Sequence, residues 1–240
     1  MSGRTQKALE IVGLTAGYRR QLVLEHFDLA LDSGDRVALV GPNGCGKSTL
    51  LRALTGVIPC QSGRIRFRGL SLEHMPTERV IRSGIGYLKD RRNVFTGLTV
   101  NDNLRLACLG GDREYRRRRD VVLRLMPMLA ELNSVRAGLL SGGQRQGLAL
   151  AMVLMRRVEL LLLDEPVAGL SPDAANVVLL ALHALCEAEG FTYVVVEHRL
   201  RAVAPWVNRV ILMTKGRIVE DTRDTSILTD RARLERYYLL

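Results

Sequence analysis

No apolar run in the sequence approaches the roughly 18 residues that a membrane-crossing helix needs; the longest, LALAMVLM at 148–155, is far shorter. The amino-terminal stretch MSGRTQKALE lacks the apolar core of a secretory signal. These two absences predict a cytoplasmic chain. Cysteines are few and scattered, at Cys45, Cys60, Cys108 and Cys186, with neither metal-ligand nor redox spacing. Reduced thiols are the reading that suits that compartment. There is no internal repeat and no low-complexity linker. With 240 residues and 47% hydrophobic content, the chain has material for one cored domain, 1–240, with room for an inserted subdomain.

Acid is outnumbered, 25 residues against 35 basic ones, for a formal net charge of +10. Such a balance fits an anionic partner: nucleic acid, anionic lipid or a nucleotide. The sharpest cluster, REYRRRR at 113–119, opens a helical pattern whose next turns are apolar at Val121, Val122, Leu125 and Leu129. Only Tyr115 interleaves it, whereas single-stranded nucleic acid is bound on aromatic platforms. No nucleic-acid partner is expected. A solvated helix face is, with lipid headgroups or a protein partner as alternatives.

Periodicity gives a coarse map. ALEIVGL (8–14) and FDLALD (27–32) alternate like half-buried strands. RVALV (36–40) is continuously apolar, as a strand covered on both faces would be. Residues 47–56 turn helical and stop at Gly56. GRIRFRG (63–69) is a strand, 76–84 a short helix and IGYL (85–88) a strand. From Thr99 to about Met155 the period is helical, broken at 108–112 and 136–143, with Thr99 and Asp102 spaced as a helix start. Strand ELLLLDE (159–165), helix 171–189, strand TYVVV (192–196), a short helix to about Ala204, strands RVILMT and RIVED, and a helical tail follow. Ser171-Pro172-Asp173 reads as N-cap, first-position proline and first-turn acid. Alternating strands and helices indicate a parallel sheet covered on both sides. The long helical stretch interrupts that alternation, which marks an inserted helical subdomain at about 91–155.

Glycine is concentrated where chemistry would need it. Gly41-Pro42-Asn43-Gly44-Cys45-Gly46-Lys47-Ser48 fits the phosphate-loop spacing and sits between a strand and a helix, the context that pattern requires. From average residue usage the pattern arises by chance on the order of once in a hundred chains this long. Glycines let backbone N–H groups turn inward around a phosphate, and the helix adds its positive end. Lys47 would reach the β- and γ-phosphates and Ser48 would ligate Mg²⁺; Thr49 supplies a second hydroxyl. At the end of a leucine strand, Asp164 would hold the metal's shell and Glu165 would orient or deprotonate water, at the edge where open parallel sheets bind ligands. A third motif, Ser141-Gly142-Gly143-Gln144, leads into a helix and makes a second anion site. One nucleotide cannot use two such sites in one chain; a head-to-tail dimer can.

Over nearly its whole length the sequence resembles the ATP-binding subunit of an ABC transporter. The resemblance implies an α/β fold: a P-loop NTPase core with a parallel sheet flanked by helices, an N-terminal antiparallel β subdomain and an inserted α-helical signature subdomain. AGYRRQLVL (16–24) resembles the loop whose aromatic residue, here Tyr18, stacks on adenine beside Val23. VVVEHRL puts His198 where the family has its switch histidine, and EPVAGLSPD resembles the loop that touches the partner subunit. Asp90 stands where most of the superfamily has a magnesium-facing glutamine. The implied activity is Mg·ATP hydrolysis in a dimer, each copy presenting Ser141, Gly142, Gly143 and Gln144 to the ATP on the other's loop. The implied partners are a second, identical or paralogous ATPase subunit, integral membrane permease subunits and, for an importer, an extracytoplasmic solute-binding protein. The implied location is peripheral, on the inner face of the cytoplasmic membrane.

Residues 86–107 and 124–144, with Pro127, resemble the branched-chain amino-acid and urea importer ATPases, and LERYYL near the end also resembles lipopolysaccharide-export relatives. An export ATPase, a soluble ABC ATPase and a regulatory subunit with little hydrolysis stay open as alternatives. Fewer than 100 residues separate Lys47 from Ser141, without sustained heptads, which disfavours the soluble class. Departures from the family pattern are Lys89 for a usual proline, Asp90, Ser171 for a common aspartate, and Gly147 for a frequent arginine, the last at about 1 kcal/mol of helix propensity.

Overall fold

Strands rich in Val, Leu and Phe lay down the amino-terminal third. β1 (Lys7–Tyr18) and β2 (Gln21–Asp32) form an antiparallel hairpin. β3 (Arg36–Val40) departs to a second sheet, and β4 (Cys60–Phe67) and β5 (Leu70–Ser71) return to complete the first, in the order β2-β1-β4-β5. The computed structural model describes residues 7–19, 21–89 and 93–238, so Asp90 lies outside the described residues. The segment expected as a loop around Tyr18 and Val23 is a hairpin instead. Tyr18 pairs with Gln21, and Val23 lies inside β2, because tyrosine, leucine and valine fit a pleated surface.

The second sheet has the order β10-β9-β3-β8-β7-β6. Its members beyond β3 are β6 (Ile85–Leu88), β7 (Leu160–Asp164), β8 (Thr192–Val196), β9 (Arg209–Thr214) and β10 (Arg217–Thr222). β6, β7, β8, β3 and β9 run parallel; β10 closes the edge antiparallel to β9, reached by the short Lys215-Gly216 turn. A connection that short permits only an antiparallel return. Every residue of β7 and β8 is buried, as strands covered on both faces require.

Period-two alternation sends the two faces into different cores. Val37, Leu39, Leu160 and Leu162 join the antiparallel sheet and α1 (Lys47–Leu54). Ala38, Val40, Leu161 and Leu163 join the helices of the opposite layer. After the short α2 (Thr77–Arg82), those helices are α3 (Val100–Ala107), α4 (Asp112–Leu125), α5 (Pro127–Glu131), α6 (Gly142–Leu154) and α7 (Pro172–Glu189). α8 (Leu200–Val203) and α9 (Arg231–Tyr238) complete the set. Thr99 and Asp102 do cap α3 reciprocally. Pro127 adds a break that the helical period concealed. It cannot donate to a preceding carbonyl, so α4 ends at Leu125 and α5 starts afresh after Met126. A Cβ at Gly147 in α6 would stand 2.6 Å from Met128 Cε, the terminal methyl of a flexible side chain, so a larger residue there would need Met128 to turn aside.

The arginine cluster is not wholly a solvated face. Arg118 is 4% exposed. Its guanidinium donates to the Leu154 carbonyl (3.2 and 2.6 Å), the Arg156 carbonyl (3.0 Å) and Glu189 Oε1 (2.6 Å). It therefore satisfies the open carbonyls at the end of α6 and fastens α4 to α6 and α7. Arg118→Met leaves those acceptors and Glu189 without a donor. We expect a loss of about 3–5 kcal/mol, read as a lower urea midpoint; a loss below about 1 kcal/mol would show that the contact is replaceable.

Candidate active site

Strand register sets the site. Leu39 of β3 pairs with Val196 of β8, and Val196 pairs with Asp164 of β7. The loops that follow these strands therefore leave the sheet along one edge. Gly41 begins the first of them. A Cβ there would meet the Met213 carbonyl at 2.1 Å, so no other residue fits without moving β9. The loop 42–45 closes on itself through Cys45 N–H to the Pro42 carbonyl (3.3 Å), leaving Asn43 and Gly44 exposed. Gly46, at φ 112°, turns the chain into α1 and packs against β2, where an added Cβ would lie 3.3 Å from Val23 Cγ1. The first bond into the helix runs from Leu50 N–H to the Gly46 carbonyl (2.8 Å). The amides of Lys47, Ser48 and Thr49 precede it and have no side-chain cap, which makes this end an anion seat. Lys47 is 6% exposed and folds over the loop, donating to the carbonyls of Gly41 (2.7 Å) and Pro42 (2.9 Å).

Ser48 Oγ donates to Asp164 Oδ1 (3.0 Å), joining the loop to the end of β7. Tyr87 OH donates to Asp164 Oδ2 (3.3 Å), and Arg52 Nη1 donates to Tyr18 OH (2.8 Å). Tyr18 keeps 40% of its surface exposed, open to a stacking partner. Among the described residues no group of three or more His, Cys, Asp or Glu could hold a metal alone. Mg²⁺ takes one or two carboxylates plus substrate phosphates rather than an all-protein cage. The hard oxygens of Ser48 and Asp164 beside a phosphate seat fit that ion.

Glu165 takes a left-handed backbone, φ 54°, held by its N–H to the Val196 carbonyl (2.9 Å). Its Oε1 lies 3.2 Å from His198 Nε2. The structure thus brings Lys47, Ser48 and Asp164 together, and Glu165 with His198, along one edge. Sequence reasoning missed Glu197. Only 4% exposed, it accepts Val167 N–H at Oε1 (2.9 Å) and the N–H groups of His198 (3.0 Å) and Arg199 (3.3 Å) at Oε2. An acid directly after five buried strand residues was the available signal. Ser141 caps α6 by accepting Gln144 N–H (3.2 Å) while Gln144 Oε1 accepts Ser141 N–H (2.9 Å). The Gln144 carbonyl oxygen is thereby used inside the chain. Ser141 and Gly142 are exposed, and Gly143 packs on Ala174 of α7.

A parallel sheet with a glycine loop, a helix-start lysine and a neighbouring strand-end aspartate defines the phosphate-loop class of nucleotide-binding proteins. Residues 24–168 match the family described as ABC transporter. The probable branched-chain amino acid transport ATP-binding protein LivF of Archaeoglobus fulgidus is 36% identical over 211 residues, 88% of this chain and 89% of that protein. The high-affinity branched-chain amino acid transport ATP-binding protein BraG of Pseudomonas aeruginosa is 36% identical over 214 residues, 89% and 91% of the two chains. A nucleotide-free ATP-binding cassette from an ABC transporter shares the fold with a TM-score of 0.86 at 23% identity, covering 97% of this chain and 98% of that one. The chain belongs to the ABC transporter family as an ATP-binding subunit, and is an ATPase.

Glu197→Gln keeps the shape but turns an amide toward N–H donors. We expect it to cost about 1–3 kcal/mol of stability, measured as a lower urea midpoint with an unchanged slope. An unchanged midpoint would show that the 165–170 and 197–199 loops are held by other bonds.

Proposed function

We propose that this ATPase works as half of a head-to-tail dimer that hydrolyses Mg·ATP to drive a membrane permease. In this reading the whole chain is one ATP-binding domain with a helical subdomain at about 91–155. Adenine stacks on Tyr18 beside Val23, and residues 41–49 wrap the phosphates. Lys47 exchanges its loop carbonyls for the β- and γ-phosphates. Ser48 and Asp164 hold Mg²⁺, with Asp90 as a further oxygen donor. When bound, that ion neutralises charge building on the phosphate oxygens. Glu165 orients water and accepts its proton, while His198 holds the γ-phosphate. Ser141, Gly142, Gly143 and Gln144 face the nucleotide of the other subunit, with the Ser141 hydroxyl proton and the open amides of α6 as donors. The observation that carries the reading is the meeting of the Ser48–Asp164 and Glu165–His198 pairs at one sheet edge.

A groove between α3, α6 and the end of β6 supports the permease as partner. Its rim exposes Phe95 (56%) and Leu106 (60%). Inside, Arg156 has its pKa lowered by burial, and its Nε has no hydrogen-bond partner. Such a cation favours a partner that brings a carboxylate. No helix among the described residues is long and apolar enough to cross a membrane, so attachment to the cytoplasmic face would come through the permease. The likeness to LivF and BraG supports branched-chain amino-acid-type uptake, with an external solute-binding protein.

Glu165→Gln tests the core of this reading. Turnover should fall by about 100-fold or more, while Mg·ATP binding persists and light scattering detects a dimer. Equal, slow hydrolysis by wild type and variant, or a variant that stays monomeric when saturated with Mg·ATP, would overturn it. Arg156→Glu should abolish co-purification with the permease while leaving ATP binding intact. Retained co-purification would place the docking surface elsewhere.

A further inference from the structure

Asp164 is gripped from two sides. Ser48 donates a hydrogen bond to Oδ1, and Tyr87, on the adjoining strand β6, donates one to Oδ2 at 3.3 Å. Tyr87 pairs in register with Leu162, two residues before Asp164, so its hydroxyl reaches past the end of β7. The acceptor fixes the direction of that bond. An ionised carboxylate can only accept, so the phenol O–H of Tyr87 is the donor. With Tyr87 held on Oδ2 and Ser48 on Oδ1, the carboxylate is fixed between two donors and Oδ1 is turned toward Ser48.

We propose that Tyr87 is a positioning residue for the metal-holding carboxylate: by binding Oδ2 it presents Oδ1 of Asp164, beside the Ser48 hydroxyl, to the divalent cation that accompanies the nucleotide. The proposal rests on the reading of Ser48 and Asp164 as the metal-holding pair. Outer partners that orient a ligand typically matter by tenfold or more in metal affinity. Tyr87 donates to Asp164, while Lys47 is held by the Gly41 and Pro42 carbonyls, so loss of the Tyr87 hydroxyl should spare metal-free nucleotide binding.

The test compares wild type with Tyr87→Phe, which keeps the ring and removes one oxygen. Mn²⁺ is titrated into protein saturated with ADP, and bound Mn²⁺ is followed by electron paramagnetic resonance; ADP affinity is measured separately in EDTA. The expected result is Mn²⁺ retention about tenfold weaker with ADP affinity in EDTA unchanged within about twofold. Unchanged Mn²⁺ retention overturns the proposal. A parallel loss of metal-free ADP affinity also overturns it, since Tyr87 would then be structural. If the wild-type complex retains no Mn²⁺ beyond free ADP, the reading of Ser48 and Asp164 falls first and the Tyr87 proposal with it. If wild type retains Mn²⁺ and Tyr87→Phe matches it, the Tyr87 proposal alone falls.

Discussion

Everything at this site depends on the parallel pairing of β7, β8 and β3 in one register. Because Leu39, Val196 and Asp164 fall on one row, chain segments 116 residues apart in sequence, at Ser48 and Asp164, end within a hydrogen bond of each other. A slip of one residue would turn each strand's side chains to the opposite face. It would also exchange the membership of the two cores, since Leu160 and Leu162 pack with α1 while Leu161 and Leu163 pack with α6 and α7. The hydrophobic effect thus selects the register, at roughly 1.5–3 kcal/mol for each fully buried leucine. Individual polar contacts of about 1 kcal/mol then refine what the register has already brought close.

The buried charges follow a second rule: among the described residues, Asp35, Glu197 and Arg118, each at most 4% exposed, all have several partners. Asp35, 2% exposed, takes Arg209 (2.6 Å), Arg223 (3.0 Å) and the Asp32 N–H (3.0 Å). Glu197 takes three backbone donors and Arg118 three acceptors. A desolvated charge costs several kcal/mol when unpaired, so these residues act as rivets between segments. Glu165 shows where local strain is tolerated. A non-glycine left-handed backbone costs about 1–2 kcal/mol, comparable with what its N–H bond to Val196 returns. The loop therefore turns sharply after Asp164, and the Glu165 carboxylate reaches His198 rather than continuing the strand.

Much of this was legible in the sequence. RVALV and LLLLD lie in strands because their apolar runs admit few alternatives, and Ser171-Pro172 starts α7 as the cap chemistry predicts. The phosphate loop was legible because its glycines answer to local geometry. What escaped was non-local. Arg118 read as one arginine among several; only the distant carbonyls of Leu154 and Arg156 make it structural. Glu197 read as a flank of His198 until Val167, 30 residues away, supplied its first donor. Tyr87 lay in an apolar strand with nothing in its neighbours to reveal Asp164. The segment around Tyr18 resembles a family loop in sequence, and only the pairing of Tyr18 with Gln21 shows it as a hairpin.

α6 shows how these constraints combine. Its carboxyl end is closed: Arg118 covers the last carbonyls and is itself held by Glu189. Its amino end is different. The capping box satisfies the amides of Ser141 and Gln144, but those of Gly142 and Gly143 precede the first intrahelical bond, which Arg145 makes to the Ser141 carbonyl at 2.9 Å. Ser141 Oγ accepts within the cap and keeps its proton to donate. The positive end of the helix dipole, worth about 0.3–1 kcal/mol to an exposed anion, is left facing solvent by Gly142. A glycine there costs helix propensity and admits close approach of another backbone or a phosphate. A helix pinned at one end and open at the other is suited to receive an anion without itself rearranging, which is what a γ-phosphate carried by a second subunit would require.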